Sequence, residues 1–216
     1  MSGKITDNLG RSSGLIKEAS GGGGGTSISD ADANTKIQVE ESSDENIIRM
    51  DTAGTEVVKI DADGIMTKPL QPCFHAYVGT TQNNIATGSD LTINYDTEVW
   101  DLNSDFDTSN KTFTAPVTGK YMFNCQYRVE FLDNGANFYN LKLVTSNCTY
   151  RALNDIKSWG INDPDFFAFN LDVTVDMDAS DTAVLKFFQN GGTAQVDGGA
   201  NDRTNQDGWF CAYLLA

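Results

Sequence analysis

The chain has 216 residues, 39% of them hydrophobic, with twelve Phe, seven Tyr and three Trp, enough for one cored domain plus an extension. Its formal net charge of −15 argues against nucleic acid as a partner and against docking to anionic lipid, both of which need a cationic surface. No run of about eighteen apolar residues is present, so no membrane insertion is expected.

Residues 1–29 begin MSGKITDNLGRSSGLIK, which lacks the continuous apolar stretch of a secretory signal, and include the run Gly21 to Gly25. Such a segment has too little to bury to fold alone. Lys4, Arg11 and Lys17 against Asp7 and Glu18 give it a net charge of +1, opposite in sign to the rest of the chain. The expectation is an extended docking tail that orders on a partner. Ile5, Leu9, Leu15 and Ile16 are its apolar anchors, and Lys4, Arg11 and Lys17 contact an acidic surface.

Residues 30–70 hold a short repeat. Ile48-Arg49-Met50-Asp51-Thr52-Ala53-Gly54 is echoed ten residues later by Val58-Lys59-Ile60-Asp61-Ala62-Asp63-Gly64. Each copy reads as an alternating strand closed by D-x-x-G, in which Asp bonds the turn backbone and Gly takes positive φ. Lys36 to Glu40 resembles a degraded earlier copy. Strands this short bury too little in a single chain, so a thin stalk shared between copies is expected. The DADG segment lacks the remaining ligands of a twelve-residue calcium loop.

Residues 71–216 are dense in strand signals. Candidates run over 74–78, 91–95, 121–129, 138–144, 166–175, 183–188 and 209–215, separated by Gly, Asn and Asp clusters without a persistent helical period. The pattern predicts an all-β sandwich or jelly roll. Alternation places Tyr121, Phe123, Cys125, Tyr127 and Val129 on one face of their strand. In the last strand Phe210, Ala212 and Leu214 alternate against Trp209, Cys211, Tyr213 and Leu215. Both faces there are apolar, as in a strand covered by the core on one side and a neighbouring subunit on the other. Core and subunit-contact candidates are therefore Phe74, Phe113, Tyr121, Phe123, Tyr127, Trp209, Phe210, Tyr213 and Leu215.

Signals for chemistry are sparse. His75 is the one histidine and shares a strand face with Cys73, a pair that lacks the further ligands a zinc site needs. A Cys73–Cys211 disulfide requires their strands to be neighbours. The spaced carboxylates Asp163 and Asp165, Asp176 and Asp178, and Asp181 suit turns and strand edges better than glycosidase catalysis, with Ca²⁺ binding by loop Asp clusters as the alternative. No enzyme activity and no cofactor is expected. Trp159, Asn190, Asp197 and Asn201 lie in polar segments that suit recognition loops.

One stretch carries a family resemblance. Phe106-Asp107 followed by Thr112-Phe113-Thr114-Ala115-Pro116 and Gly119-Lys120-Tyr121-Met122-Phe123 resembles the most specific signature of the complement C-one-q and tumour-necrosis-factor-like globular head. Pro72 to Tyr77, Ile93 to Asp96 and the closing Phe210 to Leu215 resemble further family elements. Ser180 to Ala183 and Ala212 depart from the pattern, and no collagen segment precedes the head. The resemblance implies a ten-strand jelly roll assembling as a homotrimer. The segments SGKITDNLGRSSGLIK and TKIQVE…IRMDTAGTEVVKIDADGIMTKPLQP are similar to tail and stalk segments of fibre or appendage proteins of tailed bacteriophages, especially marine ones. That similarity implies a virion structural protein, assembled in the host cytoplasm and exposed on the particle surface. It would be anchored to capsid, tail or adaptor proteins by residues 1–29, with a host receptor or glycan as a second partner of the head.

Overall fold

A computed structural model describes residues 27–160 and 162–216. Contacts divide the chain into two units between Leu70 and Gln71. The seven anchor candidates Lys4, Ile5, Leu9, Arg11, Leu15, Ile16 and Lys17 lie outside the described residues.

In the first unit, the strands β1 (Ser27–Ser29), β2 (Lys36–Gln38), β3 (Ile48–Thr52), β4 (Thr55–Ile60) and β5 (Met66–Thr67) form one antiparallel sheet in sequence order. The repeat explains the turns. Gly54 and Gly64 both take positive φ, 80° and 79°, and Asp61 Oδ1 accepts the amides of Asp63 and Ile65 at 3.0 and 2.9 Å. Asp51 departs from the expected turn role: it points into a charged face, 3.3 Å from Lys36 Nζ. The sheet also starts inside the segment expected to be tail, because Ile28 finds a ladder partner in Ile37.

The second unit is a sandwich. One sheet runs β10 (Phe106–Asp107), β11 (Thr112–Thr114), β16 (Thr182–Gly191), β13 (Ala136–Thr145), β14 (Thr149–Asn154), with β8 (Leu91–Thr92) against β16. The other runs β7 (Gln82–Ile85), β17 (Val196–Gly198), β12 (Gly119–Glu130), β18 (Trp209–Leu214), β6 (Cys73–Tyr77), β9 (Thr97–Asp101), with β15 (Phe166–Met177) along the free edge of β12. The long strands therefore stand in the orders β6-β18-β12-β15 and β11-β16-β13-β14. The chain crosses between sheets as a jelly roll does. Among the described residues the sheets hold six and seven strands, where the resemblance implied ten in all. The count is raised by short pieces: β7, β8, β10 and β17 have two to four residues each. No α-helix occurs among these residues, only a 3-10 turn at Lys157–Trp159.

Aromatic rings fill the space between the sheets. Phe74 stacks on Phe106 at 4.5 Å and Phe113 at 5.3 Å, and meets Phe210 edge-on at 5.0 Å. Phe187 gathers Tyr127, Tyr139 and Phe169 into a second group. Such pairs add specific geometry to the burial of large apolar area.

The TFTAPVTGKYMF stretch is the corner linking the sheets. Phe113 enters the core from β11, and the Ala115 amide and carbonyl bond Asp181 O and Ser180 N at 2.8 and 2.7 Å. Gly119 is required by space: a Cβ there would lie 2.6 Å from both the Ala216 carbonyl oxygen and Leu214 Cδ1. The Lys120 amide donates to that Ala216 oxygen at 2.7 Å. The chain terminus is thus stitched to the corner.

Candidate functional site

Alternation in β6, β18 and β12 sends Phe74, Ala76, Phe210, Ala212, Tyr121, Phe123, Cys125 and Tyr127 into the core. The intervening residues define the sheet's outer face, where ladder register sets three rows. Trp100, His75, Cys211, Asn124 and Asp172 form the first; Thr97, Tyr77, Trp209, Gln126 and Asn170 the second; Cys73, Tyr213, Met122 and Thr174 the third. Asp172 is the one carboxylate in these rows, and it accepts the Asn124 amide at 2.6 Å.

The centre of this face is uncharged at neutral pH. Burial lowers the His75 pKa, and its Nε2 lies 2.7 Å from Gln206 Oε1, so Nε2–H is the donor. The ring meets Trp100 edge-on at 4.7 Å. Burial also raises the Cys73 thiol and pushes Cys211 up to about 12, so both stay protonated and are poor nucleophiles or metal ligands. Trp209 Nε1 donates to Asn124 Oδ1 at 2.5 Å. Apart from Asp172, the charges sit toward the margins in pairs, Arg128 with Glu130 and Asp207, and Lys120 with Asp176. Aromatic and thiol side chains mixed with neutral hydrogen-bonded groups, rimmed by paired charges, suit a protein–protein contact.

The sequence candidates divide accordingly. Phe74, Phe113, Tyr121, Phe123, Tyr127 and Phe210 are buried in the sandwich. Trp209 and Tyr213 belong to the outer face, and Leu215 lies just past β18, with its amide on Lys120 O at 2.7 Å. Cys73 and Cys211 are on neighbouring strands as free thiols. Among the described residues no three metal-ligating side chains gather.

The recognition-loop residues do not form one site. Asn190 is in β16, bonded to Asn137 at 2.9 Å, and Asp197 is in β17 of the other sheet, accepting the Asn84 amide at 2.6 Å. Asn201 braces its loop through Val78 O and the Asp207 amide. Trp159 closes the 3-10 turn, and its side chain lies outside the described residues. The spaced carboxylates act locally: Asp163 accepts the Asn134 amide, Asp181 the Asp178 amide, and Asp176 pairs with Lys120. Sequence reading missed Trp100 and Gln206, which frame His75.

No family model matches the chain, and no curated protein matches it. Among solved structures, the globular domain of zebrafish complement 1qA protein is similar at 15% identity, covering 68% of this chain and 98% of that one, with a TM-score of 0.46. Murine APRIL at pH 8.0 is similar at 8% identity, covering 67% of this chain and 99% of that one, also with a TM-score of 0.46. The jelly-roll assignment stands on the strand order itself.

Proposed function

We propose that this chain is a non-enzymatic structural protein of a bacteriophage virion. It assembles as a homotrimeric fibre, appendage or decoration protein, docked to capsid or tail by its N-terminal segment. The observation that carries the assembly is the outer face around His75, Cys211 and Trp209, whose rows hold a single carboxylate, Asp172, on a chain of net charge −15. Charge repulsion disfavours association elsewhere, so an aromatic face poor in charge favours contact between copies there. The virion setting rests on the similarity of the 1–29 and 30–70 segments to phage appendage proteins. The test is incorporation. Protein lacking residues 2–26 keeps β1 and should stay folded and trimeric but be absent from purified particles; loading at the full-length level would overturn the anchor.

A second reading, in which the head also binds a host glycan or receptor, is favoured by the outer face of the other sheet. Arg151, Lys142 and Lys186 stand side by side across β14, β13 and β16. Like charges directly opposite are costly. Of these three, only Lys142 forms an ion pair among the described residues, with Asp90 at 2.5 Å, and its Nζ lies 4.4 Å over the Phe188 ring. Cations beside an aromatic ring suit an anionic sugar. Binding of the full chain to acidic glycans on an array, lost on Arg151→Glu, supports this reading; a blank array leaves the head purely structural.

A further inference from the structure

The 27–67 sheet has its polarity reversed for a lone chain. Register places Ile28, Ile37, Met50 and Val58 in one row, and Ile48, Ile60 and Met66 in the next, all on one face. The β-bulge between Met50 and Asp51 lets Val57 join that face, where a groove of about 500 Å³ opens beside Ile28, Ile37 and Met50. This apolar face is open: Ile28 is 68% exposed, Ile37 46% and Met66 57%. The opposite face is closed although it is charged. Arg49, only 8% exposed, reaches Glu45 at 2.8 Å and Glu56 at 3.0 Å, and Lys36 reaches Asp51 at 3.3 Å. The β2–β3 connection supplies that cover through Glu41 and Glu45, with Gln38 donating to Glu41 at 2.5 Å.

The chain therefore covers its charged face and leaves its apolar one bare. Single chains rarely expose a contiguous apolar patch of more than roughly a few hundred Å² without a partner. We infer that the apolar face of this sheet packs against the same face of the other copies, leaving the Arg49 network as the outer wall of the stalk. This rests on the homotrimer reading and specifies the contact within it. Two features select a copy of the same chain over a foreign partner. The rows carry no charge, and the charged residues bordering the groove, Asp30, Lys36 and Asp51, include the Lys36–Asp51 ion pair, so the centre of the face is complementary to itself. The sheet is also tethered within a few residues of β6, so association of the heads holds the copies at high effective concentration.

The test uses the full chain carrying Cys148→Ser to remove the exposed thiol. Ile37→Cys treated with a short flexible bismaleimide should give inter-chain products, and Lys59→Cys on the charged face should not. Removing residues 2–26 should leave the yield unchanged; a rise in cross-linking would show that segment covering the face and overturn the inference. Ile37→Glu supplies an independent readout. On a solvent-facing position the change is tolerated, whereas in a covered face it should speed proteolysis within 27–67 about tenfold. Native mass is recorded in parallel. A trimer without Ile37-specific cross-linking overturns the stalk contact and leaves head-driven assembly standing. A single-chain mass without cross-links overturns both.

Discussion

The Tyr121 hydroxyl donates to the Val117 carbonyl at 2.7 Å, bonding the first inward residue of β12 to the corner that precedes it. The ring is buried against Phe113, 5.4 Å away, so packing and hydrogen bond can be separated by mutation. Tyr121→Phe keeps the ring and removes the bond, with an expected loss of about 1 kcal/mol in a denaturant melt of the full chain.

Gly119 occupies the other end of the same corner. Gly119→Ala places a methyl group against the Ala216 carbonyl and Leu214, and backbone on one side leaves little room to yield. The expected cost is about 1–3 kcal/mol. It should appear as a lower Tm together with faster amide exchange at Lys120 and Leu215, whose amides close this contact.

Asp133 clamps two loops. Its Oδ2 accepts the amides of Thr193 and Ala194 at 2.5 and 2.8 Å, and its Oδ1 accepts Gly135 at 2.7 Å. These amides, Ala194 foremost, lower its pKa. Asp133→Ala should free the 191–195 segment, and a local rise in amide exchange there, with β12 protection retained, is the expected pattern.

His75 makes the outer face sensitive to pH. Burial lowers its folded pKa below the ordinary 6.5, so the unfolded chain takes up the proton first. The stability it contributes is full above about 6.5 and is lost as pH falls below that value. Stability of the full chain should fall as pH is lowered through about 6.5. His75→Gln should flatten that dependence in a denaturant series, since no other histidine exists in the chain.

Glu45 titrates lower. The Glu41 amide, then Arg49, holds its carboxyl down to about 2. Its contribution is present above the ordinary 4.5 and is lost as pH falls toward 2. Acid should therefore release the 40–47 connection, seen as faster exchange of the Glu41 amide, and Glu45→Gln should show that release already at neutral pH.

Much of the head was legible because alternation in a half-buried strand is a direct record of its faces. Phe123 and Tyr127 were placed inward by period alone, and the Gly119 to Tyr121 spacing reflects a close backbone approach and a corner bond. Trp100 escaped because its contact with His75 depends on pairing between β6 and β9, with a register shift between His75 and Ala76. Asn190 and Asp197 looked like loop-tip residues because Gly-rich neighbours hid the strands that hold them. In the 27–67 sheet, alternation shows that two faces exist. Which one the chain covers is decided by where Glu41 and Glu45 reach, and that is a tertiary fact.

The most direct test of the account is the mass of the full chain by sedimentation equilibrium at neutral pH, beside Tyr213→Arg, which puts a cation on the outer face. Three times the 23.5 kDa chain mass, falling to one chain in the variant with the head still folded, is the expected result. A single-chain mass for the unmodified protein, or a trimer indifferent to Tyr213→Arg, would contradict assembly through that face.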